Sequence, residues 1–340
     1  MDMEFDALLI VGFGGPQGPD DVIPFLQNTV RGRAVPEERL LEVAQHYARY
    51  GGVSPINAQL RALAEAVSDR LKADGADLPV YLGNRNWHPY LADTVRQMRE
   101  HGVNHALAFF TSPYSSYSSC RQYLDDIERA RNQVGTGAPQ ISRLRQYFNH
   151  PGFIEPMADQ VRSALGRIDV ARRESAALVF TAHSIPTAMA SGCDYQRQLE
   201  ESCRLITELA WPGADWNLVW QSRSGSPRIP WLEPQIDDEL RRLAVAGVRD
   251  VIVVPVGFIS DHIEVLFDLD VEAAQVAAEL GLTMVRCPTV GTAAGFVQMV
   301  QELVRERSDG AAPRWLGSLG PRPVPCAAGC CPADTASGPG

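Results

Sequence analysis

The chain has 340 residues, 45% hydrophobic and 21% charged, enough for about two globular domains with ample core. Its net charge of −10 argues against nucleic acid as the main partner, so any anion site must be a local basic cluster. No run of roughly 18 apolar residues exists, so no transmembrane segment is expected. Residues 1–6 are acidic and lead straight into a strand, which does not read as a signal peptide. Seven cysteines, four of them scattered singly, do not make a secreted disulfide framework; a reducing cytoplasm fits better.

Residues 7–16 read as a buried strand running into the glycine-rich turn Gly12-Phe13-Gly14-Gly15-Pro16. These glycines lack the offsets of a dinucleotide fingerprint, so no nucleotide is inferred. Arg31 and Arg33 follow near this loop, either in a solvated turn or as an anion contact. Gly51-Gly52-Val53-Ser54-Pro55 is a turn feeding a helix with Leu60, Leu63, Ala64, Val67 and Leu71 on one face. A strand is expected over 78–83, a helix over 91–101 and a third strand over 106–111. The loop 112–120 is rich in hydroxyls, Tyr117 among them. It ends at Cys120, at the start of a helix carrying Leu124 and Ile127. The helix dipole there favours a thiolate, with a buried structural cysteine as the plainer alternative.

Turn residues Asn149-His150-Pro151-Gly152 suggest a boundary, dividing the chain into 1–150, 151–308 and a tail 309–340 rich in Pro, Gly and Ala. The second half repeats the plan. A strand over 176–186 ends in a polar loop at His183, followed by a helix over 195–209 and a strand over 217–222. After the loop 223–234 comes a helix over 236–246. The β-branched run 251–254 is a strand buried on both faces, ended by Pro255, which cannot donate to a ladder. A turn at 257–261 leads into a helix, with Glu264 within a turn of the strand end. Glu264, Asp268 and Glu272 fall at i, i+4 and i+8 on one face of that helix. Like charges so spaced cost roughly 0.2–0.5 kcal/mol per pair, which a cation running along the ladder would offset. A solvated acidic face is the plainer reading. A helix over 295–307 closes the fold. Strand–helix alternation implies an α/β protein with parallel sheets flanked by helices.

His183 and Glu264 both lie near strand ends in the second half, where open α/β sheets bind ligands. A base beside a carboxylate that heads an acid ladder suits a site that receives a divalent metal and handles protons.

The motifs Phe180-Thr181-Ala182-His183-Ser184-Ile185-Pro186, Trp220-Gln221-Ser222 with Pro230-Trp231-Leu232, and the run 254–268 through Glu264 closely resemble the ferrochelatase family. Gly14-Gly15-Pro16 and the Gly51 motif match that family's amino-terminal half, and the resemblance covers roughly residues 6–307. It implies two similar Rossmann-like domains of the type II chelatase architecture, with Fe²⁺ inserted into a porphyrin in the cleft between them. By the same resemblance, His183 and Glu264 exchange protons and bind the incoming metal, and Asp268 and Glu272 line a route for cations and protons. Protoporphyrin-using members carry an apolar lip between the two glycine motifs, whereas this chain has the short charged stretch 31–39. It is similar to the soluble branch that uses coproporphyrin III, whose four propionates suit arginine and hydroxyl partners. Arg31, Arg33, Ser54 and Tyr117 are the contacts this implies, with Phe13 packing on the macrocycle where some members have tyrosine. The next enzyme of haem synthesis is the further partner implied.

Cys326, Cys330 and Cys331 cluster in the tail, one thiolate short of a closed four-ligand site, and Cys120 is a candidate for the fourth. Ferrochelatases with a [2Fe–2S] cluster likewise take three ligands from a carboxy-terminal tail and one from within the chain. A Zn²⁺ site and a reduced tail without a ligand are the alternatives. For the main activity the competitors are protoporphyrin IX or Co²⁺ as substrate, a porphyrin carrier, and a metal-binding protein without porphyrin. A carrier would not need both His183 and the acid ladder.

Overall fold

A computed structural model of the chain describes residues 5–32, 35–76, 78–224, 228–327 and 329–333. The first half runs β1 (Ala7–Gly12), α1 (Val22–Thr29), α2 (Glu37–Ala48), α3 (Ile56–Ala73), β2 (Val80–Asn84), α4 (Leu91–Glu100), β3 (His105–Phe110), α5 (Gln122–Val134) and β4 (Gln140–Arg143). The second runs α6 (Pro151–Gly166), β5 (Ala177–His183), α7 (Thr187–Ser191), α8 (Tyr195–Ala210), β6 (Trp216–Gln221), α9 (Ile236–Val245) and β7 (Asp250–Val254). It continues with α10 (Ile263–Phe267), α11 (Ala274–Glu279), β8 (Thr283–Arg286) and α12 (Ala294–Ser308).

Every strand pairing is parallel, in the orders β2-β1-β3-β4 and β6-β5-β7-β8. The inner strands β1, β3, β5 and β7 are apolar and buried on both faces, which is why periodicity exposes them in the sequence. The edge strands β4 and β8 have four residues each and mix polar with apolar side chains, so they leave no comparable signal. Helix α6 hides behind Pro151 and Pro156, which read as breakers but sit at its first position and one turn further in.

One core runs through both halves, from Leu8, Ile10 and Phe109 to Phe153, Phe296, Phe180 and Val254. Helix α6 packs on α8 and α12, and α12 packs on α3. Asn149 and His150, turn residues by sequence, are fully buried between these elements. Beyond α12 the described residues hold no helix or strand. The tail is nonetheless fastened: Leu316 N–H donates to the Asn149 carbonyl at 2.8 Å, and the Asn149 amide donates to the Gly320 carbonyl at 2.9 Å. Arg145 forms a bidentate pair with Glu306 and donates to the Arg314 carbonyl at 2.8 Å. No helix among the described residues is long and apolar enough to cross a membrane.

Candidate active site and cysteine site

His183 is the last residue of β5, and its carbonyl accepts from Tyr195 Oη at 3.0 Å. Its Nδ1 faces the Ser184 carbonyl, which can only accept, so in the neutral imidazole Nδ1 carries the proton and Nε2 the lone pair. That Nε2 stands 3.8 Å from Glu264 Oε2, and both side chains keep a third or more of their surface exposed, at 33% and 45%. Sequence reasoning placed this pair together, and the structure does so by folding the turn after β7 onto the end of β5. Gly257 N–H donates to the Thr181 carbonyl at 3.0 Å, and a Cβ at Gly257 would stand 2.7 Å from Ala182 Cα. Glu264 itself lies further from its strand than expected, on α10, with residues 255–262 between.

The acid ladder needs a larger correction. Glu264 and Asp268 are not on one uninterrupted α-helix with Glu272. Residues Asp268–Ala273 form a π-helical segment between α10 and α11, so the i, i+4, i+8 register does not hold through it. Asp268 accepts from Ser222 Oγ, and from Gln221 Nε2 at 3.4 Å. Burial pushes its carboxyl up to about 7, Ser222 opposes, and Glu264 and Glu272 add to the rise. Glu272 is also raised, by burial first and then by Asp237. Burial holds His262, next to α10, below its ordinary pKa. Two carboxyls, Asp268 and Glu272, are thus held above the usual carboxylate range by burial first, with the charge of Glu264 adding to the rise at Asp268.

Across from α10, the side chains of α1 and α2 make an apolar wall: Val22, Phe25, Leu26, Leu40, Tyr47 and Trp87 cluster with Ile263. Phe13 and Phe267 pack against it, and Phe267 stacks on His46 with ring centroids 3.7 Å apart. Tyr47 is raised by burial and then by the charges of Glu264 and Asp268. Phe13 meets Phe25 edge-on at 6.2 Å, with the Arg85 guanidinium 5.8 Å from its centroid. Arg31 is exposed, donating to Asn28 Oδ1 at 2.7 Å, and helps line a cavity of about 310 Å³ with Arg85, Tyr90, Asp126 and Arg129. Arg33 lies outside the described residues. Ser54 is buried, its N–H on the Pro16 carbonyl at 2.9 Å. Tyr117 is half-buried and opens a short π-helical turn, Tyr117–Arg121. A larger hollow of about 560 Å³, lined by Arg197, Arg204, Trp216 and Leu319, includes neither His183 nor Glu264.

Cys120 is buried in the turn that opens α5. Its thiol hydrogen-bonds that of Cys331, and Cys326 hydrogen-bonds Cys330. The hydrogen bond from Cys331 pulls Cys120 down to about 6 against burial, with Arg143 and Gln146 also favouring the thiolate. Cys331 is pushed up by the same bond. Its backbone is left-handed at φ 51°, uncommon for a non-glycine, and this kink lets neighbouring cysteines face different partners. Among the described residues no three His, Cys, Asp or Glu side chains already stand as a metal cage. Sequence reasoning missed Arg143, Gln146 and Tyr47, and it quoted Ser222 only as part of a motif, without its bond to Asp268. Nothing local marks them, because their partners lie 23 to more than 200 residues away.

A ferrochelatase family model matches residues 5–308. The chain belongs to the ferrochelatase family. It is 53% identical over 345 residues to a coproporphyrin III ferrochelatase of Nocardia farcinica, covering 97% of this chain and 97% of that protein. To a ferrochelatase of Rhodopirellula baltica it is 52% identical over 329 residues, covering 96% and 93%. The solved structure of SirB from Bacillus subtilis with Fe³⁺ superposes with a TM-score of 0.54 at 12% identity, covering 90% of this chain and 96% of that one. That likeness is one of fold: two parallel sheets flanked by helices.

Proposed function

We propose that this ferrochelatase inserts Fe²⁺ into coproporphyrin III, releasing two protons, as a step of haem synthesis in a reducing cytoplasm. The observation that carries the reading is His183 Nε2 facing Glu264 at 3.8 Å, with the raised carboxyls of Asp268 and Glu272 next along the chain. Metallation must take two pyrrole protons and bring one metal to the macrocycle centre. The Nε2 lone pair accepts a proton or holds the metal, Glu264 exchanges protons with it, and Asp268 and Glu272 pass the cation inward. In this reading residues 1–150 supply the porphyrin-binding loops and 151–308 the chemistry. Phe13 and the apolar wall take the macrocycle's face, and Arg31, Arg33, Ser54 and Tyr117 meet its propionates. The coproporphyrin III activity named for the Nocardia relative supports this choice. A carrier role is disfavoured, because it gives the raised carboxyls no task. Anaerobic metallation rates with coproporphyrin III and protoporphyrin IX side by side test the assignment. A faster rate with protoporphyrin IX would overturn it.

We further propose that Cys120, Cys326, Cys330 and Cys331 hold a [2Fe–2S] cluster. Soft sulfur donors in two contacting pairs, bridged by one arginine, fit an iron–sulfur group. Bound there, the cluster would supply a covalent staple and a one-electron centre. Insertion involves no net redox change, so the staple between tail and first half is the part that serves the enzyme. Anaerobically purified protein should be coloured and contain acid-labile sulfide. Cys120→Ser should bleach it as fully as Cys330→Ser.

A further inference from the structure

Arg143 ends β4 and is 7% exposed. Its Nη1 donates to Cys120 Sγ at 2.7 Å, and its Nη2 donates to Cys326 Sγ, 183 residues later, also at 2.7 Å. The same Nη2 donates to Gln146 Oε1 at 3.2 Å, and Gln146 Nε2 donates to Cys120 Sγ at 3.0 Å. Two arms of one rigid fork thus reach two sulfurs that belong to different halves of the site, a span that a single ammonium does not cover. Other buried arginines have carboxylate partners: Arg85 pairs with Asp126 and Arg145 with Glu306. Among the described residues Arg143 has none, and its partners are the two sulfurs and Gln146. A buried guanidinium must direct its donors at whatever acceptors surround it, and here those are the two sulfurs and Gln146.

We propose that Arg143 is the positioning residue of the cysteine site, docking Cys326 beside Cys120 and standing as the fixed positive charge against the sulfur-ligated cluster. The second half of this rests on the cluster reading above; the first does not. Four thiolates around two ferric ions and two sulfides leave a net charge of 2−, and one-electron reduction makes it 3−. Hydrogen bonds and a cation at two ligand sulfurs favour the more negative state, so Arg143 raises the reduction potential. In the metal-free protein the same fork holds the tail against β4.

The test uses the full chain, Arg143→Met and Arg143→Lys. In metal-free, thiol-reduced protein, amide exchange over residues 322–327 should quicken about tenfold in Arg143→Met and by less in Arg143→Lys, while β5 and β7 keep their protection. In loaded protein, a redox titration followed by electron paramagnetic resonance should give a more negative midpoint for Arg143→Met, with Arg143→Lys between it and the wild type. Unchanged exchange at 322–327, or an unchanged midpoint, overturns the proposal. A wild type lacking acid-labile sulfide removes the cluster reading alone, and the exchange measurement then decides the role of Arg143.

Discussion

β1 and β5 hold equivalent places, each second in a sheet of the same parallel order. Register pairs Gly12 with Asn84 at the end of the first and His183 with Gln221 at the end of the second. At Gly12 a Cβ would stand 2.4 Å from Asn84 Oδ1 and 2.4 Å from Leu60 Cδ1, so any side chain there must displace one or both. At the matching point of β5 there is room for an imidazole. The next strands diverge in the same way: β3 opens into a loop of hydroxyls, β7 into the turn that carries Glu264. In the proposed function, one scaffold used twice gives a half that receives a large ligand and a half that supplies proton and metal groups.

The largest break in this contrast is on the β5 side. His183→Ala and Glu264→Gln should each lower metallation by about 10²–10⁴-fold, the usual contribution of one acid/base group, with circular dichroism unchanged. Near-normal turnover of His183→Ala would remove the catalytic half from the argument. On the β1 side the consequence should be stability instead. Gly12→Val forces Asn84 and Leu60 apart and should cost about 1–3 kcal/mol by denaturant unfolding. A Gly12→Val chain as stable as wild type would show that the strand end has slack.

Substrate choice sharpens the same division. Arg31→Ala combined with Arg33→Ala should raise KM for coproporphyrin III about tenfold, as expected for one lost charge-assisted contact, and leave kcat nearly constant. KM for protoporphyrin IX should move much less. Equal effects on both porphyrins would take the propionates away from this loop.

How much of this was legible in the sequence follows from where each signal resides. The inner strands announce themselves because both faces are buried. Edge strands β4 and β8 do not, being short and half polar. His183 and Glu264 stand in dense local motifs beside strand ends, so their partnership could be anticipated. The π-helical segment could not, since Asp268–Ala273 has no breaker and reads as α-helix by propensity. The three tail cysteines stood out by their clustering, but Arg143, which bridges Cys326 to Cys120, looks like any arginine until β4 and the tail meet in space.

At Asp268 stability and delivery oppose each other. Its carboxyl titrates near 3.8 when unfolded and is raised to about 7 in the fold, by burial foremost. Between those values the native chain holds a proton that the unfolded chain has released. Stability from this group is therefore full below about pH 4 and is lost progressively as pH rises to about 7. Asp268→Asn mimics the protonated state and still offers one oxygen to Ser222 and Gln221. Its Tm should exceed that of wild type above pH 7 and converge with it near pH 4, in thermal melts across that range. A pH-independent difference would mean that the carboxyl is not desolvated. The same substitution removes one charge from the cation route, so the Fe²⁺ concentration for half-maximal rate should rise while kcat at saturating Fe²⁺ changes little. On stability alone asparagine would serve better here, so under the proposed cation route the carboxylate gives up stability for delivery to Glu264.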